Sequence, residues 1–141
     1  MEAIRERLGD RRDEFELPPP VFTYMQGSFL EYDEDNKVLT NRFPVLKEYL
    51  NPYGAMQGGV VAAAVDNTFG PLSMLVASPS VTRKLELKYS SPITTDLEHI
   101  TVKATFIGRD DRWLRFKAEV RDPQGKLLAR AKSLYWIVEE E

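Results

Sequence analysis

The segment Asn51-Pro52-Tyr53-Gly54-Ala55-Met56-Gln57-Gly58-Gly59 runs directly into an apolar stretch that carries one carboxylate, Asp66. A polar, glycine-rich turn that feeds a helix presents backbone N–H groups with no intrahelical partner, and such groups stabilise negative charge developing on a carbonyl oxygen. Gly58 and Gly59 lack a Cβ, so another molecule can come close to that backbone. A carboxylate further along the helix can serve as a general base that activates water, or as a nucleophile. Together these groups fit acyl transfer. Each also has a purely structural role open to it. The glycines can simply shape a tight turn, Asn51 before Pro52 can hold that turn, and Asp66 can cap a helical turn ahead of Gly70-Pro71.

The spacing bears on assembly. Asp66 follows Gln57 by nine residues, a rise of about 13 Å along a helix at 1.5 Å per residue. One acyl carbon cannot lie within reach of both the turn N–H groups and the carboxylate of the same helix. If both act on it, they come from two copies of the chain. The expected assembly is therefore a homodimer at least, which leaves a dimer of dimers, a homotetramer, open.

The elements that must position these groups are legible as periodicities. Val61, Val65, Phe69 and Leu72 recur every three or four residues and predict a helix from Gly59 to about Ala77, with a kink or a new turn at Pro71. Ser28–Tyr32 and Val38–Phe43 read as strands around the turn-forming Asp33–Asn36. Leu85, Leu87 and Tyr89 alternate with Lys84, Glu86 and Lys88, and similar alternation runs through 100–106, 114–120 and 127–138. Short turns at Gly108–Arg112 and Asp122–Gly125 imply antiparallel hairpins. Thr82 shares parity with Lys84 and Lys88, which puts it on the polar face. The order is two strands, one helix, four strands. A helix apolar nearly all round must be enclosed, and a curved antiparallel sheet wrapped around it is the simplest enclosure.

The 141 residues fit one domain, preceded by an arm. In residues 1–20, Ile4, Leu8 and Phe15 suggest a short amphipathic helix, and Pro18-Pro19-Pro20 predicts an extended hinge; residues 21–141 form the domain. A net charge of −3 gives no general pull towards nucleic acid or an anionic membrane. The chain has no cysteine, which excludes disulfides and a thiolate nucleophile and suits a cytoplasmic location. Its single histidine, His99, reads as a surface residue, and with no second histidine a His/Cys metal site is not expected. The longest apolar run, Val60–Val65, is too short to cross a bilayer.

In these motifs the chain resembles the hotdog-fold PaaI-like acyl-CoA thioesterases. That family has an Asn, a His-Gly-Gly six positions later, and an Asp nine positions after the His. Asn51, Gln57-Gly58-Gly59 and Asp66 keep that spacing, and Thr82–Pro92, Gly108-Arg109 and the turn Asp122–Leu127 look like the family's later strand and turns. The resemblance covers roughly residues 28–138. It implies an α+β hotdog fold and a thioesterase in which water is activated by Asp66, oriented with the help of Asn51 and Thr82, and attacks a thioester held at Gln57 and Gly58. It implies no cofactor beyond coenzyme A as part of the substrate. Lys88, Ser90, Ser91, Arg109 and Arg112, with Gly59, are its candidate CoA contacts, and Tyr53, Met56, Phe69 and Met74 are candidates for an acyl channel, though such residues also fill cores. Gln57 departs from the pattern: an amide cannot take a proton at neutral pH. That keeps open a second reading, a hotdog protein that binds acyl-CoA or a fatty acyl group without turnover. A hydratase, which would pair a catalytic His with an acid, fits least because His99 lies in the wrong segment.

Overall fold

The computed structural model describes residues 1–139. Helix α1 (Glu2–Leu8), a 3-10 turn over Gly9–Glu14 and helix α2 (Pro20–Tyr24) lead into strands β1 (Ser28–Asp33) and β2 (Val38–Pro44). Helix α3 (Gly58–Val76) follows, and then strands β3 (Ser80–Tyr89), β4 (His99–Asp110), β5 (Trp113–Arg121) and β6 (Leu127–Ile137). The six strands make one antiparallel sheet in the order β1-β2-β4-β5-β6-β3, so β1 and β3 are its two edges. This is the hotdog arrangement of a single long helix laid against a curved sheet.

The packing follows from the periods. Val61, Ala64, Val65, Thr68, Phe69 and Leu72 form the buried face of α3. They meet Ile100, Val102, Leu114, Phe116, Val120 and Ala129, which alternate inward from the strands. Phe69 lies 5.7 Å from Phe116, whose ring also touches Phe106 and Tyr135. The opposite flank of α3 is not closed off: Ala62, Ala63, Asp66, Asn67 and Gly70 are half-buried. One sheet thus encloses this helix on one side only, although its composition called for cover all round.

Three expectations change. Helix α3 continues through Pro71, and no new turn begins there. Proline has no N–H to give the carbonyl of Asn67. The Nδ2 of Asn41, on β2 and fully buried, donates to that carbonyl at 3.3 Å and to Thr68 Oγ1 at 3.2 Å, so the orphaned acceptor is partnered across the core. At the hinge, Pro20 opens α2 at a first-turn position that proline tolerates, rather than keeping the chain extended. Finally, α3 has 19 residues and a mean hydropathy of 1.3, which is apolar enough by length and composition to cross a bilayer. The run Val60–Val65 understated it, but here its apolar face is spent on the sheet.

Helices α1 and α2 pack on α3 and β1. Ile4 is 1% exposed and α1 lies on α3. Phe22 of α2 stacks on Phe29 of β1 at 4.3 Å and meets Phe43 edge-on at 5.7 Å.

Candidate active site

Asp66 sits on the half-open flank of α3, beside the edge strand β3. Its Oδ1 accepts two hydrogen bonds, from the Tyr135 hydroxyl at 2.7 Å and from the Thr82 hydroxyl at 3.1 Å. Its Oδ2 has no partner among the described residues. The carboxylate is therefore pinned by one oxygen and available through the other. Tyr135 is 3% exposed. Burial, reinforced by the negative charge of Asp66, pushes its hydroxyl well above the ordinary tyrosine value, so it stays protonated and donates.

Thr82 reaches Asp66 because of a bulge. The pairing of β3 with β6 matches Thr82 to Tyr135 and then jumps, so that Lys84 faces Leu134 and Leu85 faces Ser133. Arg83 is the extra residue, and it reverses the alternation. Thr82 thus lies on the helix side with Leu85, Leu87 and Tyr89, not on the polar face with Lys84 and Lys88 as its parity suggested.

At the N-terminus of α3, Gln57 occupies the N-cap. Its carbonyl accepts from Val60 and Val61, while its exposed side chain makes no capping bond. The N–H groups of Gly58 and Gly59 have no acceptor among the described residues. A Cβ on Gly58 would come 3.3 Å from the Tyr89 hydroxyl, whereas nothing lies within 4 Å of one on Gly59. The open approach is thus at Gly59. At Gly58 the space is taken by Tyr89, whose hydroxyl donates to the Gly58 carbonyl at 2.6 Å.

Asn51 holds the preceding loop. Its Oδ1 accepts the N–H groups of Tyr53 at 2.9 Å and Ala55 at 3.2 Å, which leaves only its Nδ2 for a ligand. Ser90 and Ser91 follow Tyr89 and, with Met56, Gly58 and Pro92, line an open groove of about 380 Å³ beside the helix N-terminus.

The remaining candidates are dispersed. Arg109 and Arg112 are on the β4–β5 hairpin, where the Arg109 Nε donates to the carbonyl of Asp111 and Arg112 lies over the Trp136 ring. That hairpin adjoins Trp136, which pairs with Val81, so within one chain these arginines stand at the opposite end of β3 from Ser90. They do not join Ser90 and Ser91 around one ligand in a single protomer. Phe69 is sealed in the core, Met74 faces the N-terminal arm, and Tyr53 is 93% exposed, so of the proposed channel residues only Met56 borders the groove. His99 opens β4 opposite Pro44 and is half-buried rather than a plain surface residue.

The sequence reading missed Tyr135 and Tyr89. Both were accessible in principle. Continuing the alternation Leu127, Ala129, Ala131 by two steps puts Tyr135 on the helix side, and Tyr89 was already on the apolar face of β3.

No protein-family model matches the chain. In sequence it is similar to an esterase-named protein of Saccharolobus solfataricus, 21% identical over 88% of this chain and 87% of the relative. In structure it is similar to a thioesterase-named, phenylacetic acid degradation-related protein of Ralstonia eutropha, with a TM-score of 0.81, 22% identity, and coverage of 96% of this chain and 98% of that one. It is equally similar in shape to the PaaI protein of E. coli, with a TM-score of 0.81, 11% identity, and coverage of 98% and 95%. With six antiparallel strands wrapped on α3 and these neighbours matching nearly end to end, the chain has the hotdog fold in the form found in PaaI-like thioesterases.

Proposed function

We propose that the protein is an acyl-CoA thioesterase working as a homodimer, with each site shared between two chains. One observation carries this reading: β3 is bonded at its two ends to the two candidate chemical groups of α3. Thr82 bonds Asp66, and Tyr89 bonds the Gly58 carbonyl. A ten-residue edge strand with half-exposed Leu85 and Leu87 is an unsatisfied pairing surface. Antiparallel pairing of two β3 strands about a twofold axis sets the Thr82 end of one against the Tyr89 end of the other. That brings Asp66 of one chain towards the Gly58-Gly59 amides of its mate, and it removes the 13 Å impasse within a single helix. The same pairing covers the open flank of α3.

In this arrangement the Gly58 and Gly59 amides receive the thioester oxygen as it becomes negative, and Oδ2 of Asp66 takes a proton from the attacking water; the tetrahedral adduct then collapses with cleavage of the C–S bond, and the proton on Asp66 passes to the departing CoA thiolate, leaving the carboxylic acid. Thr82 and Tyr135 hold the other carboxylate oxygen. Gln57 and the Nδ2 of Asn51 orient the thioester and the water. Lys88, Ser90 and Ser91 come from the chain that supplies Gly58, and Arg109 and Arg112 from its mate. The esterase and thioesterase names of the similar proteins support the reaction class. A cytoplasmic location and independence from nucleic acid, membrane and metal belong to the same reading.

A panel of acyl-CoA thioesters assayed with wild type and Asp66→Asn tests the reaction. Hydrolysis by wild type and its loss in the variant are expected; equal background rates in both end the proposal. The exposed, uncapped side chain of Gln57 favours one second reading, an acyl-CoA binder without turnover. Tight binding with no product from any chain length would select it.

A further inference from the structure

The face of the sheet turned away from α3 carries an unusual concentration of cations for an acidic protein. Its registers line up into rungs. One rung runs Glu31, Thr40, Lys103, Glu119, Arg130, Lys88, and the next runs Asp33, Val38, Thr105, Lys117, Lys132, Glu86. Lys117 therefore stands directly across from Lys132, and Arg130 directly across from Lys88. Like charges placed opposite each other on one face of a sheet oppose folding. Glu119 is engaged by Arg121 at 3.1 Å and Glu86 by Lys84 at 3.0 Å, while Asp33 at the β1 end of its rung interacts electrostatically with Lys103; in the pairs Lys117–Lys132 and Arg130–Lys88 no carboxylate stands between the two cations. Lys88, Lys103, Lys117, Arg130 and Lys132 make no ion pair among the described residues. All five line one open groove of about 730 Å³, the largest described. They span four strands and two rungs, about 14 Å by about 7 Å at ordinary sheet spacings.

We propose that this outer groove seats the phosphates of coenzyme A, the diphosphate and the 3′-phosphate, while the thioester end lies at the Gly58-Gly59 turn. The inference rests on the thioesterase reading above and adds to it a site on the far side of the sheet. Continuity carries it. Lys88 closes the cationic groove, and the residues immediately after it, Tyr89 and Ser90, open the groove that borders Gly58. A ligand chain passes from one to the other over the end of β3, round the Ser90-Ser91 turn, without crossing the sheet or disturbing a β3–β3 pairing. Several phosphates in a small area are the anions that match five cations so placed. A second copy of the same face does not match, because an isologous contact would set cations on cations. The like-charge pairs then have a function: bound phosphates sit between them.

The test uses the full-length protein and free CoA, which needs no turnover, by titration calorimetry. Binding is expected to weaken at least tenfold in Lys117→Glu and to weaken with added salt, but to be unchanged in Arg12→Glu, an equal charge change on the N-terminal arm. Lys117→Glu is also expected to melt higher than wild type, because it faces Lys132 with an opposite charge, so lost binding is not lost folding. In assays, the preference of kcat/KM for an acyl-CoA over the phosphate-free acyl-pantetheine thioester should collapse in Lys117→Glu. Equal CoA affinity in wild type and Lys117→Glu, or wild type that does not prefer the CoA ester, overturns the site while leaving the thioesterase reading intact. CoA binding that depends on Lys117 in a protein that hydrolyses no thioester overturns the enzyme and leaves the site standing.

Discussion

The two edges of the sheet receive opposite treatment. Strand β1 is six residues long, breaks register between Phe29 and Glu31, and is flanked by α1 and α2, with Phe22 stacked on Phe29 and a shallow groove between α1 and Leu30. These are ordinary ways of blunting an edge. Strand β3 is ten residues long and has no covering element among the described residues; its bulge, at Arg83, does not end the pairing but turns Thr82 towards Asp66. The same device, one extra residue, blunts one edge and arms the other. The groups assigned to the proposed site, Asp66, Tyr135 and the helix N-terminus, lie on the β3 side, and the cationic groove reaches that side through Lys88.

This contrast predicts that substitutions on the β3 side damage activity and assembly, and those on the β1 side damage folding alone. The largest effect is expected for Asp66→Asn, a loss of roughly 10²–10⁴-fold in kcat with little change in melting temperature. Its counterpart, Phe22→Ala, should cost about 3–5 kcal/mol of stability in a denaturant titration. The protein that remains folded should still turn over at the wild-type rate; a matching loss of kcat would dissolve the distinction between the two edges.

Assembly gives the next test. Val81 on β3 and Leu30 on β1 are similarly exposed, at 42% and 44%. Val81→Asp is expected to weaken self-association at least about tenfold by sedimentation, or about 1.4 kcal/mol, whereas Leu30→Asp should leave it unchanged. Equal effects would mean that β3 is not the pairing edge.

The smallest effect concerns alkali. Tyr135 carries a folded-state value raised above the ordinary 10.0 by its burial and then by Asp66. Above that ordinary value the unfolded chain has lost the proton and the folded chain keeps it. Its contribution is therefore complete below about pH 10 and drains away as the pH rises further. Stability measured between pH 9 and 12 should fall, and Tyr135→Phe should fall less steeply. Burial raises Tyr32, Tyr49 and Tyr89 in the same direction, so the variant should flatten the slope without abolishing it.

Local pattern carried much of the fold. The alternation in β4, β5 and β6, the apolar repeat of α3 and the Asp33–Asn36 turn are properties of neighbouring residues, and the structure keeps them. Thr82 shows where that ends. Parity assigns it to the wet face, and only the mismatch with Tyr135 and Leu134 across the ladder reveals the bulge that reverses it. Pro71 is a second case: its local rule demands a break, and Asn41, thirty positions earlier, supplies the missing donor.

The residue types and their spacing thus determined a turn, a helix and an acid nine residues along from Gln57, because helical rise and hydrophobic period depend only on what is adjacent. Tertiary structure alone decided which oxygen of Asp66 is held, which strand is left open, and which cations stand opposite one another. Those outcomes depend on register between strands distant in sequence, and one inserted residue is enough to reverse them.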